Sequence, residues 1–193
     1  MRRHHRVGVE QQDQLAAELD RRPETAIAGP RIVDGDGRPE VSFGPMISPL
    51  GELRQKLLVH GQARGLWPVT AMVERLTRRT RFVDWVTGAC LLIRRGDLER
   101  AGLLDERYFM YTEDVDLCAA VRAQGRRVLF TAAVQVVHRR GQSVRSAASA
   151  TARAYRRSQI AFYEKHHPGW APLLRAYLQI RGRTTDKPSG PSA

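Results

Sequence analysis

Three acidic residues fall within four positions, Glu113, Asp114 and Asp116, directly after an aromatic run from Tyr108 to Tyr111. The apolar spacing beyond them predicts a helix from about Asp114 to Gln124, which puts Asp114 at a helix N-terminus. A carboxylate there can cap backbone N–H groups. If it faces a reacting hydroxyl it can instead take up a proton as a general base, and the helix end favours the ionised form that a base needs. Twenty-four residues later His138 closes an apolar run. A single histidine at a strand end is either a satisfied structural group or a metal ligand. The two cysteines, Cys90 and Cys118, sit in apolar segments with no C-x-x-C spacing, so buried thiols are expected in place of a disulfide or metal site.

These residues need elements to hold them. Residues 14–22 have helical composition, with Leu15 and Leu19 four apart, and Pro23 closes the segment. A short extended piece at 26–28 precedes Gly29-Pro30 and two Asp-Gly pairs, all turn formers. Leu50, Leu53, Leu57 and Leu58 suggest a further helix, and Trp67-Pro68 is expected to break up the stretch beyond it. Residues 82–94 read as strand pieces around Gly88, apolar enough to be buried on both faces. Asp97 looks like the N-cap of a short helix ending near Gly102. The helix starting at Asp114 has Leu117, Ala120 and Val121 on one face, and Gly125 stands where a C′ glycine is expected. Residues 127–137 return as β-structure. Helices are expected at 148–165, stopped by His166-His167-Pro168-Gly169, and from Trp170 to about Ile180. Strands alternating with helices define an α/β class.

The chain has 193 residues with a net charge of +12, a pI near 10.9 and a mean hydropathy of −0.43. That charge invites a nucleic-acid reading. However, all but Lys56, Lys165 and Lys187 of the 32 basic residues are arginines spread along the chain, and only 7% of residues are aromatic, so no nucleic-acid partner is expected. The longest apolar stretch, 89–93, is far short of a bilayer span. The basic N-terminus runs into polar residues, unlike a signal peptide, and a cytoplasmic location is expected.

The run from Gly88 to Phe130, with Val136-Val137-His138-Arg139-Arg140-Gly141-Gln142-Ser143 after it, resembles the family 2 glycosyltransferases of the GT-A fold, in particular their bacterial rhamnosyltransferase-like branch. The resemblance extends from about residue 26 to 182 and is tightest over 85–143. It implies an inverting transfer of sugar from a nucleotide-diphosphate donor to a cell-envelope polysaccharide or a glycan or polyprenyl-linked acceptor. It also implies Asp114 as the catalytic base, and Trp85, Gly88, Ala89, Glu113 and Asp116 around the acceptor. Trp85 would stack on a sugar ring or fill core. His138 would join the shell of a divalent cation, Mg²⁺ or Mn²⁺, and Arg139, Arg140 and Ser143 would contact phosphate or shape the loop. Tyr108, Phe109 and Tyr111 are expected to pack the loop.

Relative to that family, the β-α units that bind the nucleotide and the Asp-x-Asp metal motif have no counterpart in this chain. The motif would align at or before Met1, where Arg3-His4-His5-Arg6 stands. Asp34-Gly35-Asp36 has the right spelling but reads as a turn. The expected organisation is an incomplete GT-A domain over 1–146, a helical extension over 147–183 and a disordered tail over 184–193. Two alternatives accompany the transferase reading: a catalytically inactive remnant acting as an interaction or scaffold fragment and, more remotely, a basic nucleic-acid-binding protein. The helix from Trp170 to Ile180, flanked by Arg175, Arg181 and Arg183, would either pack on the domain or touch the inner face of an anionic membrane peripherally.

Overall fold

A computed structural model describes residues 8–138 and 148–181. Arg139, Arg140 and Ser143, the Arg3–Arg6 stretch and the tail at 184–193 lie outside the described residues. The chain divides into two compact units. One holds residues 8–104 and 114–138, the other residues 105–113 together with 148–181.

The first unit is built on a four-stranded sheet in the order β3-β6-β1-β5. Its centre is β1 (Thr25–Val33) paired in parallel with β6 (Arg127–Val137), while β5 (Leu92–Ile93) and β3 (Arg81–Val83) add antiparallel edges. Side chains alternate across this pair. Ile27, Val128 and Phe130 face one core, where Leu117, Cys118 and Val121 of α5 (Glu113–Ala123) cover them. Ala28, Leu129 and Val134 face the other, under Leu15 and Leu19 of α1 (Val9–Asp20). The period of two thus assigns one helix to each face of the sheet. This α/β layering is that of a GT-A-like domain.

Three expectations are corrected by this sheet. The short extended piece at 26–28 is a nine-residue strand, almost wholly buried. Gly29-Pro30 does not end it: the register with β6 shifts between Pro30 and Arg31, and this irregularity accommodates a residue without an N–H. Gly29 lies under the second, two-stranded sheet of β2 (Phe43–Gly44) and β4 (Trp85–Val86), where a Cβ would sit 2.7 Å from Val86 Cβ. The strands read as buried on both faces, β3, β4 and β5, are short and half-buried except at Val86, because they form sheet edges and the small second sheet rather than the sheet centre.

Trp67-Pro68 starts a helix instead of breaking one. After α2 (Pro49–Ala63), α3 runs Trp67–Thr77, with its proline in the first turn, where the missing N–H has no intrahelical partner to lose. Asp97 is not an N-cap either. It lies inside α4 (Arg95–Arg100), 1% exposed, and accepts from Arg100 at 2.5 Å and Arg126 at 2.9 Å. These charged bonds hold its carboxyl below the usual range against the opposing effect of burial. Gly125 ends α5 at φ 76°, as the C′ position demands.

In the second unit, α6 (Ala148–His166) and α7 (Ala171–Ile180) pack through buried Phe162, Tyr163, Ala171 and Leu178. Residues 105–113 join them: Ser158 Oγ donates to the Met110 carbonyl at 2.7 Å, and Lys165 pairs with Asp105 at 2.8 Å. The Lys165 bond, with Arg107, draws the Asp105 carboxyl down to about 2.

Candidate active site

The chain enters α5 through two consecutive residues in the left-handed region, Tyr111 (φ 68°) and Thr112 (φ 73°). For residues with a Cβ this costs roughly 1–2 kcal/mol each, more for a β-branched threonine. The helix begins at Glu113, so Asp114 stands in its first turn. Its Oδ2 accepts from the Gly88 N–H at 2.6 Å, and its Oδ1 from the Val115 N–H at 2.8 Å. Each oxygen keeps a further lone pair. Burial pushes the Asp114 pKa upward, only partly opposed by the N–H groups of Gly88 and Val115. A carboxylate so placed accepts a proton more readily than an aspartate in water.

Gly88 is where it is because the approach is close. A Cβ there would lie 3.2 Å from Asp114 Cβ and 3.4 Å from Oδ2. Ala89 comes next in the same turn, its N–H directed to Thr87 Oγ1 at 3.3 Å. Trp85 belongs to β4 of the two-stranded sheet. Its indole N–H donates to the Pro45 carbonyl at 2.7 Å, and the ring lies over Gly44, where a Cβ would meet it at 2.9 Å. With its edge packed on the core cluster, Trp85 is fixed in orientation and half-exposed. Asp116 is buried on the core side of α5.

One pair escaped the sequence reading. Asp84, the residue before Trp85, accepts from the Met46 N–H at 2.8 Å and pairs with Arg122 at 2.7 Å. Helix α5 is therefore tied to segment 84–88 at both ends, by Asp114 to Gly88 and by Arg122 to Asp84. The spans match: eight helical residues rise about 12 Å and four extended ones about 13 Å. The signal was an aspartate inside an otherwise apolar Phe82-Val83-Asp84-Trp85-Val86 run. Asp84, Gly44 and Pro45 also border a cavity of about 300 Å³ whose walls include Phe43, Arg54 and Arg81.

His138 lies at the end of β6, its N–H on the Val33 carbonyl at 2.8 Å and its Nδ1 3.6 Å from Glu40 Oε2. Neither contact involves Asp114. Among the described residues no three His, Cys, Asp or Glu side chains gather as a metal centre. His138 and Glu40 alone do not make a cation site. Asp34 is spent on its turn: its Oδ1 accepts from the N–H groups of Asp36 and Arg38, with Gly37 at φ 78°. Both cysteines are free thiols. Cys118 is fully buried, its pKa pushed up to about 12 chiefly by burial, while Cys90 is only partly covered. Of the aromatic run, Tyr108 is buried and Tyr111 rests edge-on against Tyr155 at 5.8 Å, but Phe109 is 87% exposed. The packing role expected for Phe109 is corrected accordingly.

An α/β domain with a carboxylate in the first turn of a helix, beside a glycine turn and a fixed tryptophan, has the layering of a GT-A-like glycosyltransferase domain. The model of the glycosyltransferase-like family 2 matches residues 62–170, and the chain belongs to that family. It is 32% identical over 180 residues to the N-acetylglucosaminyl-diphospho-decaprenol L-rhamnosyltransferase of Mycobacterium tuberculosis, an alignment covering 88% of this chain and 59% of that protein. It is 39% identical over 56 residues to the rhamnosyltransferase WbbL of Escherichia coli K12, covering 29% of this chain and 21% of that protein. The hexosyltransferase Agl10 of Haloferax volcanii, a protein of low-salt glycan biosynthesis, is 28% identical over 113 residues, 58% of this chain and 33% of that protein. The chain thus spans about three-fifths of the length of the mycobacterial relative. No solved structure matches it.

Proposed function

We propose that this chain carries the acceptor side of an inverting sugar transfer, with Asp114 as the base. The observation that supports the reading is the Asp114 carboxylate, held by the Gly88 N–H at 2.6 Å and raised in pKa by burial. As an acceptor hydroxyl attacks the anomeric carbon of the donor sugar, its proton passes to a free lone pair of Asp114. The bond from that carbon to the diphosphate breaks, and its electron pair leaves on the phosphate oxygen. Trp85, Gly88 and Ala89 border the acceptor, with Glu113 and Asp116 flanking the base along α5. The domain reading is a GT-A-like body over 1–146 with a helical extension over 147–183.

The named substrate of the mycobacterial relative suggests a class for this chain: L-rhamnose from a nucleotide-diphosphate donor to a sugar on a polyprenyl diphosphate. A divalent cation, with His138 as one ligand, would stabilise the departing diphosphate. No helix among the described residues is long and apolar enough to cross a membrane. A lipid-linked acceptor would place the chain at the cytoplasmic face of the membrane. The test is transfer of labelled rhamnose to a polyprenyl-diphosphate-linked N-acetylglucosamine by the wild type and by Asp114→Asn. Loss of about 10²–10⁴-fold in turnover with donor binding retained is expected. Undiminished turnover removes Asp114 from the base role.

A further inference from the structure

Helix α7 buries one side and leaves the other bare. Ala171 and Leu178 face inward at 4% and 6% exposure, whereas Trp170, Leu173, Tyr177 and Ile180 are 52%, 60%, 48% and 86% exposed. Spaced three, four and three apart, these four fall on one face of the helix and form a stripe about 15 Å long. The helix packs by its narrow Ala171–Leu178 side, and its larger apolar residues stay open to solvent among the described residues.

The charge of this unit bears on what can cover the stripe. Helices α6 and α7 carry five basic residues, Arg153, Arg156, Arg157, Lys165 and Arg175, with Arg181 at the C-cap of α7, against one acidic residue, Glu164; Lys165 is paired with Asp105. Glu164 is itself paired with Arg175. Arg181, at the end of the stripe, lies 5.6 Å over the Tyr177 ring. An apolar face with tryptophan and tyrosine on it and Arg181 at its end suits a helix lying in the headgroup layer of an anionic bilayer. A second copy of the chain would set two such basic surfaces against each other.

We propose that α7 docks the protein on an anionic membrane, with Trp170, Leu173, Tyr177 and Ile180 entering the interface and Arg181 meeting lipid phosphate. This deepens the membrane-face reading above but stands on the composition and exposure of α7, so it fails separately from sugar transfer.

The experiment is flotation of the full chain with vesicles of phosphatidylcholine alone and of phosphatidylcholine with phosphatidylglycerol. At least tenfold tighter binding to the anionic vesicles is expected, weakening as salt is raised. Leu173→Glu with Ile180→Glu should abolish it at unchanged circular dichroism, because both side chains already face solvent. Arg181→Gln, which leaves the stripe intact, should weaken anionic binding about fivefold. Equal flotation of the double variant and the wild type overturns the proposal, as does failure of the wild type to bind either vesicle. A concentration-dependent dimer in sedimentation velocity that the double variant abolishes also overturns it, since a second copy then covers the stripe.

Discussion

The Gly88 main-chain N–H donates to Asp114 Oδ2 at 2.6 Å, joining a turn after β4 to the first turn of α5 across 26 positions of sequence. The bond fixes one oxygen of the carboxylate and leaves its second lone pair for chemistry. It also explains why the turn carries a glycine, since a side chain at 88 would press on the group it orients.

Gly88→Ala should therefore damage the site more than the fold. Its added methyl meets Asp114 rather than the core, so the carboxylate must rotate or retreat by a few tenths of an ångström. Turnover is expected to fall about tenfold, the range that small misplacement of a reacting group produces. The melting temperature should move by only a few degrees. Steady-state kinetics beside thermal unfolding would check both, and unchanged turnover would dissociate Gly88 from the geometry of the base.

Asp114 also sets a sign for stability. Its folded pKa is raised above the unfolded value near 3.8, so between the two the folded state holds more protons and stability declines as pH rises. Above the folded pKa that loss is complete. Asp114→Asn, which cannot ionise, should accordingly be more stable than wild type at neutral pH, with the difference shrinking as pH falls toward 4 and vanishing below it. Turnover moves oppositely, because the base must be ionised: the acid limb of the wild-type profile should fall at a pH above the ordinary aspartate range. Melting curves from pH 3 to 8 would test the first point; a variant less stable than wild type at pH 7 would contradict it.

The Asp84–Arg122 pair anchors the other end of α5. Because both groups are partly exposed, their coupling should be modest, about 0.5–1 kcal/mol in a double-mutant cycle of Asp84→Asn and Arg122→Met. Each single change should also lower turnover, by letting the helix shift against the 84–88 segment. Denaturant unfolding of the four proteins measures the coupling, and strict additivity would show that the two residues do not act together.

Much of this was legible in the chain because the elements that hold the site have strong local signals. Leu117 and Val121 with Gly125 delimit α5, the largely apolar run at 127–137 is β6, and the Glu113-Asp114 pair at a helix start marks the candidate base. The features that escaped depended on partners remote in sequence. Pro30 reads as a turn, and only the register shift against β6 lets it remain within β1. Trp67-Pro68 reads as a break because proline obstructs a helix interior and opens one equally well. Asp97 reads as a cap until Arg126, 29 residues away, claims its carboxylate. The apolar period of α7 was visible, but periodicity says which residues share a face and not whether that face is covered.

The parallel pairing of β1 with β6 has a consequence for how the molecule comes into being. Val33 ends the first strand and Arg127 begins the second, so the central ladder joins stretches about a hundred residues apart, a topology that closes late. On a ribosome, β1 must wait for its parallel partner with α1, Glu74 of α3, Val86 of β4 and the antiparallel edge at Leu92–Ile93 already made. Gly88 and Asp114 both emerge during that wait. The sheet that seats them is complete only once synthesis has passed Val137, which makes the Asp114 carboxylate one of the last parts of the first unit to gain its full support.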